Sequence, residues 1–223
     1  MIKAVIFDMD GVLSDTEPYH KKVRDEFLNE FGIFNEDLSL SAIGKGLYGF
    51  WRDVIAEYGI SADAKKLTDD TFSRLAGLAV SVPFKPMRGL KESLSGLKRG
   101  GYKIGVASSS QKVMVYAVLK AVGIENEVDA VVCGDEVKEP KPAPYVYAEA
   151  LKKLNVLPTE AVAVEDSPTG AKGALNAGIK TVIAYEQAGV VGGRKNMDMC
   201  EYKIGDLTEI AAIVKSLNGG KKA

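Results

Sequence analysis

The stretch IKAVIFDMDG, residues 2–11, decides the fold of this chain. Residues 2–7 are a short apolar run rich in β-branched and aromatic side chains, the pattern of a parallel strand buried on both faces. Asp8 and Asp10 follow at its end, and Gly11 breaks the run in a sharp turn where backbone N–H groups can approach an anion. Open α/β sheets bind ligands outside the carboxyl ends of their strands, so both carboxylates fall where chemistry is expected.

Runs of the same length and character recur at 102–107, 128–132, 161–164 and 181–184, which makes five strands. Helical patterns at 112–122, 143–154 and 169–177 separate the last four, each closed by Gly or Asn near its end. Strands alternating with helices imply right-handed crossovers and a parallel sheet. Between 15 and 84 the pattern changes: Val23, Phe27, Leu28 and Phe31 recur at helical spacing and no strand is evident. The expected architecture is therefore α/β, a doubly wound, Rossmann-like core of residues 1–14 and 85–223 with an inserted α-helical cap of residues 15–84. Hinges are expected at 14–16 and at the proline-bearing segment 83–86, and a frayed tail at 219–222.

At 223 residues the chain can bury a real core. Its 29 basic and 30 acidic residues give a formal charge of −1, which leaves no electrostatic footprint for nucleic acid or an anionic membrane surface. No apolar run approaches the roughly 18 residues of a membrane span, so a cytoplasmic protein without a signal peptide is expected. Cys133 and Cys200 are too few and too far apart for a disulfide framework or a thiolate zinc site.

Four segments carry the chemistry, each just after a predicted strand: FDMDG at 7–11, ASSS at 107–110, KPAP at 141–144 and VEDS at 164–167. A carboxylate can attack phosphorus while a second carboxyl group protonates the leaving alcohol and then activates water, which assigns Asp8 as nucleophile and Asp10 as acid/base. A calcium loop beginning at Asp8 would need an oxygen ligand at its fifth position and a glutamate at its twelfth, and finds Val12 and Tyr19. Ser108 can donate to a phosphoryl oxygen without adding charge, whereas Ser110 reads as the N-cap of the following helix. Lys141, between Pro140 and Pro142, supplies the fixed positive charge that a phosphate beside several carboxylates requires. Asp166 together with Asp8 suits a hard cation such as Mg²⁺, which takes one or two carboxylates and keeps its waters.

With these segments in this order, the chain resembles the haloacid dehalogenase-like phosphotransferases, specifically the β-phosphoglucomutase-like group with a helical cap inserted after the first motif. The resemblance covers nearly the whole chain. It implies Mg²⁺ bound by the Asp8 carboxylate and the Asp10 carbonyl, with Glu165 and Asp166 also at the metal. It further implies phosphate binding by Ser108 and Lys141, and substrate contacts from Met9 and Ser109 beside the motif residues and from Thr16 and His20 at the cap hinge. The cap loop GKGLYG, residues 44–49, fits a dinucleotide fingerprint, but no βαβ unit surrounds it. It reads instead as a specificity loop with Lys45, Tyr48 and Trp51 as contacts.

The mutases of this group carry in that loop an arginine that holds the sugar's second phosphate; here the position is Gly49, with Arg52 or Arg74 as possible substitutes. Losing that clamp favours hydrolysis over mutation. The expected activity is a Mg²⁺-dependent phosphatase of small phosphorylated metabolites, sugar phosphates among them, working through an aspartyl-phosphate as a monomer or weak dimer. A sugar phosphate mutase and a non-enzymatic phosphate-binding module are the alternatives.

Overall fold

Residues 4–7 lie near the middle of the sheet, with every residue buried. The computed structural model describes residues 1–40, 42, 46–82, 84–186 and 197–219, without the side chains of Glu36 and Leu40. Its strands are β1 (Ala4–Phe7), β2 (Lys103–Ala107), β3 (Ala130–Val132), β4 (Ala161–Glu165), β5 (Thr181–Tyr185) and β6 (Tyr202–Ile204). All pair in parallel in the order β3-β2-β1-β4-β5-β6. The order reverses direction on either side of β1, so the loops after β1, β2 and β4 open into one crevice.

The strand residues alternate between two cores. Val5 and Phe7 of β1, with Val162 and Val164 of β4, face α5 (Leu90–Arg99), α6 (Lys112–Val122) and α9 (Ile210–Gly219). Ala4 and Ile6, with Ala161 and Ala163, face α7 (Tyr145–Leu154) and α8 (Pro168–Asn176). Each large apolar side chain so buried contributes about 1.5–3 kcal/mol, and a one-residue slip of register would exchange the two faces.

Between β1 and β2 lie α1 (Glu17–Glu30), α2 (Glu36–Leu40), α3 (Leu47–Tyr58) and α4 (Ala64–Ser81), and no strand among the described residues. The chain leaves and rejoins the sheet at one place: Met87 N–H donates to Leu13 O at 3.0 Å, and Ser14 Oγ to Lys85 O at 2.9 Å. The inserted helices pack around Trp51, which meets Phe27 and Phe50 edge-on and donates Nε1–H to Thr71 Oγ1 at 3.0 Å, and their apolar side chains run on into the core on the α5–α6–α9 face of the sheet. They meet the sheet layer through α4 packed on α6, where Gln111 Nε2 donates to Asp69 Oδ1 at 2.6 Å.

The expected strands and helices are all present, with ends shifted by up to two residues. The sixth strand, Tyr202–Ile204, escapes the sequence reading: β3 is as short and also at an edge but is an unbroken Ala-Val-Val run, whereas β6 is interrupted by the exposed Lys203. Gly44, Lys45, Pro83 and residues 220–222 lie outside the described residues. Gly46 is the N-cap of α3, so the second half of GKGLYG enters a helix rather than cradling a nucleotide.

Candidate active site

The strand ends converge as the motif spacing requires. Lys141, in the loop before α7, reaches back under the sheet's carboxyl edge and places all three ammonium donors. They go to Asp8 Oδ1 at 2.6 Å, Glu165 Oε1 at 2.7 Å and the Ala107 carbonyl at 2.8 Å, at the ends of β1, β4 and β2 respectively. Tyr147 donates its phenol to the same Glu165 Oε1 at 2.6 Å, with its ring 4.9 Å from Lys141 Nζ, and Ser167 Oγ donates to Glu165 Oε2 at 3.1 Å. Glu165 is wholly buried, and these donors offset the cost of burying its carboxylate.

Two glycines permit this density. A Cβ on Gly11, whose φ is +82°, would run into the Asp166 carboxylate, and one on Gly170 would run into that of Glu165. Ser167 caps α8 by accepting from Gly170 N–H at 3.1 Å, and Pro168 opens the helix, which turns the chain out of β4 just after the acidic pair.

Asp10 sits across the crevice in a different network. Thr16 Oγ1 donates to its Oδ1 at 2.5 Å, His20 Nε2 lies 3.4 Å from the same oxygen, and Ser110 Oγ donates to Oδ2 at 2.7 Å. Burial pushes the Asp10 carboxyl up, but the hydrogen bond and charge of His20, helped by Thr16 and Ser110, outweigh it and bring it down to about 2. Asp8 moves the other way. Burial raises it most, the Glu165 charge adds to that, and Lys141 only partly opposes them. Burial would lower Lys141, yet Asp8 and Glu165 hold it above its ordinary value, so it stays charged. Tyr147 is raised by burial and by Glu165, and stays a donor. Two carboxylates two residues apart are thus pushed in opposite directions by different partners.

Asp8, Glu165 and Asp166 each offer an oxygen, and the three oxygens lie within 4.8 Å of one another. This all-oxygen set fits a hard divalent cation. The Asp10 carboxylate lies outside the cluster, turned to Thr16 and Ser110.

A cavity of about 520 Å³ opens over these groups. Asp8, Asp10, Ser109, Ser110, Lys141 and Asp166 line its sheet side, and Thr16, Glu17, His20 and Arg24 its helical side, with Leu47 and Phe72 as apolar wall. Of the expected substrate contacts, Thr16, His20 and Ser109 line the cavity; Met9 is wholly buried in the core, and Lys45 lies outside the described residues. Ser108 is wholly buried; its hydroxyl donates to Asp10 Oδ2 at 3.4 Å and accepts the Ser110 N–H at 3.0 Å. Trp51 is a core residue and Tyr48 an exposed one. Arg52 pairs with Asp53, and Arg74 pairs with Glu30 and stacks on Phe27; neither lines the cavity.

The sequence reading passed over three residues. Ser110, read as an N-cap, spends its hydroxyl on Asp10, and Gln111 takes the cap position of α6. Tyr147 reads as helix filler because a phenol facing a carboxylate leaves no local pattern. Arg24 did leave a signal: Glu17, His20 and Arg24 follow one another at helical spacing on one face of α1.

A parallel α/β sheet with paired carboxylates and a buried ammonium at its carboxyl edge is the layout of an enzyme site. Comparison places it further: residues 5–184 match the haloacid dehalogenase-like hydrolase family, and the chain belongs to that family. YhcW of Bacillus subtilis (strain 168) is 37% identical over 188 residues, covering 82% of this chain and 83% of that protein. The "Phosphorylated carbohydrates phosphatase" of Thermotoga maritima is 31% identical over 189 residues, covering 81% and 84%. The crystal structure of β-phosphoglucomutase from Clostridium difficile superposes with a TM-score of 0.76 at 21% identity over 98% of each chain, a likeness that speaks for the fold.

Proposed function

We propose that this hydrolase is a phosphatase of small phosphomonoesters, sugar phosphates among them, acting through an aspartyl-phosphate at Asp8 with Mg²⁺ as cofactor. The observation that carries this reading is the geometry of Asp8. One carboxylate oxygen is bound by Lys141 at 2.6 Å, which leaves the other for attack, and Asp10 stands in the same cavity with a separate set of partners. The relative named for phosphorylated carbohydrates is consistent with it.

In the first half-reaction an Asp8 oxygen attacks phosphorus, the ester P–O bond breaks, and the departing alkoxide takes a proton from Asp10. In the second, Asp10 takes a proton from water, the water oxygen attacks phosphorus, and the Asp8–phosphorus bond breaks to release inorganic phosphate. With its carboxyl held at about 2, Asp10 stands ionised, the state in which it can accept the proton of the base half. The acid half needs a proton, and His20, 3.4 Å away, is placed to hand one over. Lys141 sets the charge that an incoming phosphate meets, while Glu165 and Tyr147 hold Lys141 in place. Asp8 and Asp166 would hold the cation, because the Glu165 oxygens are already engaged by Lys141, Tyr147 and Ser167. Bound there, it supplies positive charge to the phosphoryl oxygens.

Phosphorus NMR of the protein with Mg²⁺ and a panel of sugar and other small phosphomonoesters tests the reading. Inorganic phosphate should accumulate with the intact protein and not with Asp8→Asn, and Asp10→Asn should be slower by about 10² to 10⁴. Retained turnover in Asp8→Asn would refute the nucleophile assignment. A new ester with its phosphate moved on the sugar would mean a mutase instead.

A further inference from the structure

Ser110 stands where a serine commonly caps a helix, and its hydroxyl goes elsewhere. The N-cap of α6 is Gln111, which makes no side-chain cap bond. The Ser110 side chain lines the cavity instead, 5% exposed, and donates to Asp10 Oδ2 at 2.7 Å. A hydroxyl withheld from a helix end and spent on a reacting group breaks a local preference, and such breaks are expected at functional sites.

The Asp10 carboxylate is gripped from both walls of the cavity. Thr16 and His20 meet Oδ1 from the start of the inserted helices, while Ser110 and Ser108 meet Oδ2 from the end of β2. The Ser108 contact is long at 3.4 Å, so Ser110 supplies the short bond from the sheet side. That bond starts from a fixed point. Ser108 Oγ accepts the Ser110 N–H at 3.0 Å, and the Ser110 carbonyl accepts from Gly134 N–H at 2.9 Å. To either side, Ser108 N–H donates to Val132 O at 3.0 Å and Lys112 N–H to Asp135 Oδ1 at 2.9 Å. A Cβ on Gly134 would run into the Ser109 carbonyl, so the turn after β3 lies directly against this loop. The Ala107 carbonyl just before it accepts from Lys141, which also binds Asp8. Ser110 thus ties the Asp10 side chain to the same strand end that anchors the Asp8 side chain.

We propose that Ser110 is a positioning residue for proton transfer: its hydroxyl fixes the rotation of the Asp10 carboxylate through Oδ2, so that the proton given to the departing alkoxide travels a defined path. The proposal rests on the phosphatase reading and adds to it a residue that acts through Asp10. Reacting groups lose much of their rate when they are misaligned by a fraction of their separation, and a carboxylate held from the helical wall alone would be free to turn about that hold.

The test uses two esters that share the phosphoryl group and differ in the oxygen that leaves. An alkyl ester, the better substrate of glycerol phosphate and sorbitol phosphate, departs as an alkoxide and needs a proton. The p-nitrophenyl ester departs as a stabilised phenolate and does not. Because kcat/KM covers the steps up to the aspartyl-phosphate, the ratio of alkyl to p-nitrophenyl ester reports the acid step apart from phosphate binding and attack. In Ser110→Ala that ratio should fall about tenfold to a hundredfold, the worth of a hydrogen bond to a charged group, with kcat/KM for p-nitrophenyl phosphate little changed. Ser110→Thr keeps the hydroxyl and should keep the ratio. An unchanged ratio in Ser110→Ala, or an equal loss on both esters, would make Ser110 a packing or phosphate-binding residue and overturn the assignment while the phosphatase stands. The same fall in Ser110→Thr as in Ser110→Ala would show that the hydroxyl is not what matters, and would overturn it too. No turnover of any ester by the intact protein would remove the phosphatase reading and this proposal with it.

Discussion

The two walls of the cavity are built on different terms. On the sheet side, groups at the ends of three strands are locked together through one ammonium, with Glu165 wholly buried and Asp8 7% exposed. On the helical side Glu17, His20 and Arg24 hang from a single helix, a guanidinium N–H has no partner among the described residues, and the wall joins the sheet layer through α4 packed on α6, with polar contacts such as His20–Asp10 and Gln111–Asp69 beside it. The difference separates two tasks. Reacting groups must be held to fractions of an ångström, and a sheet edge does that, whereas helices can exchange side chains to suit a substrate without disturbing the chemistry.

If the sheet wall is preorganised, breaking its hub should be the most damaging single change. Lys141→Met leaves Asp8 and Glu165 facing each other in a buried site without their cation. Removing one partner of a buried ion pair costs about 3–5 kcal/mol, and turnover should vanish with it. Urea unfolding gives the stability term, with the exposed Lys152→Met as a control expected within about 0.5 kcal/mol of the intact protein. A cost below about 1 kcal/mol for Lys141→Met would mean that the strand ends hold themselves without it, and the contrast between the walls would collapse.

Tyr147→Phe probes the same wall more gently. The substitution keeps the ring beside Lys141 and deletes only the phenol that donates to Glu165 at 2.6 Å. A hydrogen bond to a charged acceptor is worth about 1.5–3 kcal/mol, so a measurable drop in thermal stability is expected, with a smaller loss of kcat than Lys141→Met gives. A variant as stable as the parent would show that Lys141 alone orients Glu165.

The same contrast explains what could be read from the sequence. The sheet wall is legible because its carboxylates sit at strand ends: a buried strand has a plain apolar signature, and the crevice beyond its end is fixed by topology. Asp8, Glu165 and Asp166 follow from that logic and Lys141, nine residues past β3, from its flanking prolines and the charge a phosphate needs; the four meet in the structure. The helical wall was read poorly. Which face of a helix turns to a cavity depends on tertiary packing, so Trp51 reads as a contact in the sequence and is core in the structure, while Arg24, one helical turn past His20, lines the cavity with no motif to mark it. Tyr147 and Ser110 were missed for a related reason, since each acts through a long-range partner that no local spacing announces. The three-residue β6 lacks the unbroken apolar run that made the equally short β3 legible, because Lys203 stands at its centre.

The smallest expected effect lies where the walls touch. Asp10 belongs to the sheet side, but its low carboxyl value, about 2 against an ordinary 3.8, depends on His20 from the helical side ahead of Thr16 and Ser110. A carboxyl group depressed on folding contributes stability that is fully present above 3.8 and is lost as pH falls through about 2. The shift corresponds to about 2 kcal/mol, and the 31% exposure of the Asp10 side chain discounts this to about 1 kcal/mol. His20→Gln removes the leading source of that contribution, so near neutral pH the variant should be less stable by up to about that amount. The deficit should shrink as the medium is acidified below 3.8, because protonating Asp10 removes the interaction from both proteins. Urea midpoints followed from neutral to acid pH measure it. A deficit that did not shrink would mean that His20 stabilises through its edge-on packing against Phe72, 6.3 Å between centroids, and not through Asp10. The helical wall would then have no electrostatic hold on Asp10, and the proposal that His20 supplies its proton would fall.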